Sequence, residues 1–263
     1  MEILSAALVV GGVGLLIGII LSVSGKFLSV PVDEKEVAIR EALPGNNCGG
    51  CGYAGCDGLA AAIAKGESQP NACPVGGAEV AAAISKIVGI EAELVKKVAY
   101  VKCGGDCDHA NNKYNYIGNA DCGDAANIPG GGAKMCSFGC LGLGSCVKAC
   151  EFDAIHVVNG KAVVDKNKCV ACGKCVKACP KNLIEIIPFE AKYVVKCSSK
   201  DRGLDVKKAC TAGCIGCGLC AKNCECDAIE FKNNIAHINQ EKCQKCGVCI
   251  EKCPVKAIVE LHK

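Results

Sequence analysis

The stretch Cys169–Pro180 reads CVACGKCVKACP. Cys169, Cys172 and Cys175 are separated by two residues each, Cys179 follows after three more, and Pro180 closes the run. Thiolates at this spacing hold a [4Fe–4S] cluster, and the fourth cysteine serves a second cluster rather than its own. Three sulfurs on one short turn face three irons of a cube. The phrase recurs as Cys243, Cys246, Cys249 and Cys253, followed by Pro254. Structural zinc sites use two separated Cys-x-x-Cys knuckles, so this spacing argues against them. The chemistry on offer is one-electron transfer.

Composition agrees. The chain has 263 residues and 26 cysteines, only 4% aromatic residues and no Trp, so its apolar core is thin and bound metal must supply folding energy. A secreted disulfide scaffold is the other reading of dense cysteine. It would not repeat one four-cysteine phrase, and reduced thiols place the bulk of the chain in the cytosol. A net charge of +3 gives no argument for nucleic acid. No P-loop, nucleophile elbow or catalytic carboxylate pair is present, and the PGGG at 129–132 is not a dinucleotide fingerprint.

The fold these residues imply is α+β, in four parts: a transmembrane anchor (1–25), a small helical single-cluster domain (32–98) and two tandem two-cluster ferredoxin-like units (99–190 and 191–263). Residues 3–24 carry no charge and are long enough for a membrane span. Lys26 after them and Glu2 before them orient the remainder to the cytoplasm. A signal peptide would place its basic residues first. Residues 33–43 read as a helix with Asp33 and Glu36 at capping-box spacing, stopped by Pro44 and Gly45. Cys48, Cys51 and Cys56 then fall in a Gly-rich loop, and Cys73-Pro74 completes a single-cluster set. Helices are expected from about Asp57 and over 77–89.

Beyond Tyr100 the chain repeats itself. Cys136, Cys140, Cys146, Cys150, Cys169, Cys172, Cys175 and Cys179 recur 74 residues later as Cys210, Cys214, Cys220, Cys224, Cys243, Cys246, Cys249 and Cys253. YVKC ending at Cys103 echoes YVVKC ending at Cys197, at a different offset. Between the cysteine runs of each repeat lie two strand-like segments, the first pair joined by Asn159-Gly160, a type I′ hairpin signal. Crossed ligation assigns Cys214, Cys217 and Cys220 with Cys253; Cys243, Cys246 and Cys249 with Cys224; and Cys169, Cys172 and Cys175 with Cys150. Leu143 stands where the other repeat has Cys217. The expected replacement is Cys136, giving Cys136, Cys140, Cys146 and Cys179; a three-iron cluster is the alternative. At least five clusters follow. Cys103, Cys107, Cys122, Cys197, Cys210 and Cys226 remain, as core thiols or as ligands of a sixth or further cluster. The four histidines, His109, His156, His237 and His262, have no metal-ligand spacing.

An apolar N-terminal segment, then PGNNCGGCGYAGCDGLA with Cys73-Pro74, then these cysteine runs, resembles the B subunits of Rnf complexes, the ion-translocating ferredoxin:NAD+ oxidoreductases. The resemblance runs over the whole chain, in a long form with two ferredoxin units. It implies a protein that takes low-potential electrons from soluble ferredoxin and passes them through its clusters. The recipients would be membrane and flavin-carrying subunits that hold the NAD site and the ion path. It also implies an inner-membrane location, single-pass, with the clusters on the cytoplasmic side. Two other readings stand beside it: a membrane-tethered electron-transfer subunit of a hydrogenase or dehydrogenase, and a zinc-binding interaction module.

Overall fold

The computed structural model describes residues 2–27, 33–91 and 95–261; in the first helix, side chains are described for residues 11–23. His262 lies outside these residues. Helix α1 (Glu2–Phe27) occupies the apolar segment. Among the described residues, however, no helix is long and apolar enough to cross a membrane. The expected transmembrane anchor over 1–25 is therefore corrected.

Helices α2 (Glu34–Ala42), α3 (Cys56–Ala64) and α4 (Gly77–Val88) form the first packed unit. Asp33 caps α2 by accepting from the Lys35 amide at 2.9 Å. Ile39, Leu59, Ile63 and Ile84 meet with almost no exposed surface, one from α2, two from α3 and one from α4. Arg40 on α2 donates to Asp57 on α3. Gly89 ends α4 in the left-handed region at φ 76.

The rest of the chain is built twice. In order it contains β1 (Lys97–Val101), α5 (Cys122–Ala126), α6 (Ser145–Lys148), β2 (Ile155–Val158), β3 (Lys161–Val164), α7 (Lys174–Ala178) and β4 (Ile184–Pro188). Then come β5 (Tyr193–Val195), α8 (Gly203–Ala209), α9 (Leu219–Lys222), β6 (Ile229–Lys232), β7 (Ile235–Ile238), α10 (Val248–Glu251) and β8 (Ile258–Glu260). In each copy the first and last strands pair antiparallel: Ala99 opposite Ile186, and Val194 opposite Val259. The two middle strands of each copy form a hairpin. The hairpin turns are Asn159-Gly160 (φ 47 and 70) and Asn233-Asn234 (φ 52 and 61), both left-handed at both positions. A type I′ turn requires this, and Asn and Gly tolerate it best. The two outer ladders, β1–β4 and β5–β8, were not legible as pairs, because their partners lie far apart in sequence.

The two copies are packed together. Val98, Tyr100, Ile187, Ala191 and Val194 form one buried cluster that draws on β1, β4, β5 and the connection between β4 and β5. The 104–135 insertion of the first copy reaches the second: Asn111 N donates to Ala209 O at 2.9 Å, and Thr211 N donates to His109 O at 2.9 Å.

Candidate iron–sulfur centres

Four loops of the repeated part share one backbone path. The residue before each loop's second ligand position is left-handed: Gly142 (φ 73), Ala171 (55), Gly216 (67) and Lys245 (59). So is the glycine after it: Gly144 (82), Gly173 (77), Gly218 (69) and Gly247 (87). Side chains on Ala171 and Lys245 cost on the order of 1 kcal/mol each in this region. The repeated conformation turns backbone N–H groups toward the enclosed space, an anion-holding arrangement. The loop carrying Leu143 keeps this path although its cysteine is gone.

The loops enclose cavities. Cys150, Cys169, Cys172 and Cys175 line one, and Cys214, Cys217, Cys220 and Cys253 line a second. A third is lined by Cys140, Cys146, Cys179 and Cys122. Cys136, expected with Cys140, Cys146 and Cys179, lines another cavity together with Cys103, Cys197 and Cys210. The reason is a local clamp. Asp121 caps α5 by accepting from Gly123 N at 2.7 Å, and its other oxygen accepts from Ser145 Oγ at 2.8 Å. Ser145 Oγ in turn accepts from the Cys122 amide at 2.7 Å. The start of α5 is thereby fastened to the Leu143 loop. Asp121 is held below the usual carboxylate range by the Ser145 hydroxyl and the two amides it caps. The one sequence signal for this was a cysteine directly after a capping Asp.

Strand amides point at the thiols. Ala99 N donates to Cys169 Sγ, Ala162 N to Cys140 Sγ and Leu183 N to Cys179 Sγ, each at 3.4 Å. Such bonds help set a cluster's reduction potential. Burial, reinforced by neighbouring thiols, pushes the Cys146 thiol up to about 12 and those of Cys175, Cys220 and Cys249 up to about 11. These thiols keep their protons until a metal displaces them. Cys243 and Cys246 lie beside Cys249. Cys224 Sγ lies 3.6 Å from Cys226 Sγ.

In the helical unit, Asn47 Oδ1 accepts from the Cys56 amide at 2.8 Å, and Gly76 N donates to Cys73 Sγ at 3.4 Å. Burial raises the Cys73 thiol, with Cys51 and Cys56 adding to the shift. Cys48 lies near Cys172 and Lys174 of the repeated part. A methyl at Gly50 would sit 2.7 Å from the Cys172 carbonyl oxygen, so the two loops touch backbone to backbone.

Among the described residues, no three or more His, Cys, Asp or Glu side chains are grouped to hold a single metal ion. Around one zinc the sulfurs would approach to about 3.8 Å. Four cysteines spread around a cavity are instead the donor set of a four-iron cube. The described histidines have carboxylate neighbours: His109 with Asp106 at 2.6 Å, His156 with Asp153 at 3.7 Å and His237 with Glu185 at 3.1 Å.

Comparison with known families matches an Fe-S cluster family to residues 43–75, a 4Fe-4S binding domain to 162–185 and a 4Fe-4S dicluster domain to 213–257. The chain is 46% identical over 252 residues to the B subunit of the Na+-translocating ferredoxin:NAD+ oxidoreductase complex of Acetobacterium woodii, covering 95% of this chain and 75% of the relative. It is 45% identical to the B subunit of the proton-translocating ferredoxin:NAD+ oxidoreductase complex of Clostridium ljungdahlii, over 94% of this chain and 88% of that one. With the B subunit of the ion-translocating oxidoreductase complex of Methanosarcina acetivorans it shares 40% identity over 97% of both chains.

The chain belongs to the Rnf B subunits. Like them it is an electron-transfer component of a multi-subunit, membrane-associated ion-translocating ferredoxin:NAD+ oxidoreductase, and its cofactors are [4Fe–4S] clusters. The family matches cover Cys48–Cys73, Cys169–Cys179 and Cys214–Cys253. They leave out Cys103, Cys107, Cys122, Cys136, Cys140, Cys146, Cys150, Cys197 and Cys210.

Proposed function

We propose that reduced ferredoxin donates electrons directly to this chain and that its cysteine sets relay them to the flavin-carrying and membrane subunits of the complex. The ligand sets of this reading are Cys48, Cys51, Cys56 and Cys73; Cys150, Cys169, Cys172 and Cys175; Cys122, Cys140, Cys146 and Cys179; Cys214, Cys217, Cys220 and Cys253; and Cys224, Cys243, Cys246 and Cys249. Each bound cluster supplies one-electron storage at low potential. The protein's part is to hold the thiolates, aim amides at them and keep the sets in contact. The observation that carries the reading is that contact: the Gly50 loop lies on the backbone of Cys172. Within the second copy, Cys249 lies near Cys220.

In this relay residues 32–98 form the single-cluster end, and 99–190 and 191–263 form the two-cluster units. The cysteine-bearing part faces the cytoplasm, where thiols stay reduced and ferredoxin is found. The choice of pumped ion belongs to other subunits, since relatives of nearly equal similarity come from a Na+-translocating and a proton-translocating complex. The test is anaerobic mixing of the full chain with reduced ferredoxin, without NAD+, followed by absorbance near ~400 nm. The chain's absorbance should bleach as ferredoxin re-oxidises. A chain with its full iron content that ferredoxin leaves unbleached overturns the proposal.

A further inference from the structure

The five sets account for twenty of the cysteines and leave a gap at the seam between the two copies. Four of the remaining thiols converge there. Cys103 follows β1 and Cys197 follows β5, at matching places in the two copies. Cys136 and Cys210 are related by the 74-residue repeat, each four residues before the first cysteine of its loop. All four line one cavity. Its void is about 20 Å³, the same as those at the Cys140 and Cys169 sets.

We infer that Cys103, Cys136, Cys197 and Cys210 hold a sixth [4Fe–4S] cluster, shared equally by the two repeated units.

The donor set is two cysteines from each copy, the same number and chemistry as in the other sets. The lining sets Gly104, Gly105, Gly139 and Gly213 among the thiols, beside Phe138 and Val206. A methyl on Gly105 would lie 3.1 Å from Cys210 Sγ and 3.8 Å from Cys103 Sγ, and one on Gly139 would lie 3.7 Å from Cys136 Sγ. At these glycines the backbone comes close to the thiols and leaves room beside them for a cluster. The seam is also tied across: Gly104 N donates to Lys196 O at 2.7 Å, and Ser198 Oγ donates to Lys102 O at 3.0 Å. Two amides link this site to the sets on either side. Cys140 N donates to Cys103 Sγ at 3.4 Å, and the Cys214 amide bonds Cys197 Sγ. Cys140 and Cys214 are themselves repeat partners, so the seam site has the same connection to each copy. An electron leaving a reduced cluster on one side would reduce this one and then the next, with each donor re-oxidised and no bond made or broken. Cys107 and Cys226 are left without a set.

The inference takes clusters at the other five sets as given and is tested apart from ferredoxin activity. Iron and acid-labile sulfide are counted on the full chain, purified and reconstituted anaerobically, for the parent and for Cys103→Ala and Cys210→Ala. The parent should carry about twenty-four irons, and each variant should lose about four or show the EPR signal of a three-iron cluster when oxidised. Variants that match the parent in iron and show no three-iron signal overturn the inference. If both variants fail to fold, the parent decides alone: about twenty irons with every other set filled also overturns it.

Discussion

The backbone amide of Cys140 donates to the thiol of Cys103 at 3.4 Å. One residue belongs to the cavity inside the first copy and the other to the cavity at the seam. A hydrogen bond of this kind couples the two sites in structure and lets the occupancy of one affect the potential of the other. The same relation recurs between Cys214 and Cys197 in the second copy. The repeat therefore extends to the contact between the inner and seam cavities.

Cys122→Ala should remove the cluster held with Cys140, Cys146 and Cys179, costing about four irons per chain. Adding Leu143→Cys to that variant should restore it, because the Leu143 loop follows the same path as the Cys217 loop. Iron counts and low-temperature EPR of the single and double variants check this. Full iron in Cys122→Ala would contradict the assignment.

Gly50→Ala should separate the helical unit from the first copy, since the new methyl would meet the Cys172 backbone, which cannot swing aside. Iron content should hold. Amide hydrogen exchange over 49–52 and 171–174 should speed up, because that contact protects both segments. Unchanged exchange in both would show that the two loops do not depend on each other.

Lys134 is buried, and its ammonium donates to Gly105 O at 2.7 Å and Gly160 O at 3.0 Å. Lys134→Met fills much the same volume but leaves these carbonyls without that donor. The expected cost is about 1–3 kcal/mol, read as an earlier denaturant midpoint for loss of visible absorbance. A midpoint equal to the parent's would mean water replaces the ammonium fully.

Much of this was legible in sequence, because cluster ligands from one loop are close in the chain. The run at Cys169 and its copy at Cys243 announce themselves by spacing alone. Asn159-Gly160 announced its hairpin for a similarly local reason. What escaped was assembled across distance. Cys122 reaches the cavity lined by Cys140, Cys146 and Cys179 through the Asp121–Ser145 clamp, and nothing local distinguishes it from Cys136, which is nearer in sequence to Cys140. Cys103 and Cys197 showed as the echo of YVKC in YVVKC and among six cysteines left over, with nothing to group them. Their meaning depends on two strands that bring them to one seam. The apolar segment at the N-terminus misled in the opposite direction: uncharged length suggested a membrane span that the described helix does not provide.

In the relay proposed above, electrons cross from one copy to the other through the seam. The most direct measurement is ferredoxin-dependent NAD+ reduction by the assembled complex whose Rnf B component carries Cys103→Ala with Cys136→Ala. Iron analysis would first establish that the other five clusters are in place. The relay predicts that turnover falls to background while the helical unit and the first copy still accept electrons from ferredoxin. Turnover equal to that of the parent complex, with the seam cluster gone, would contradict it.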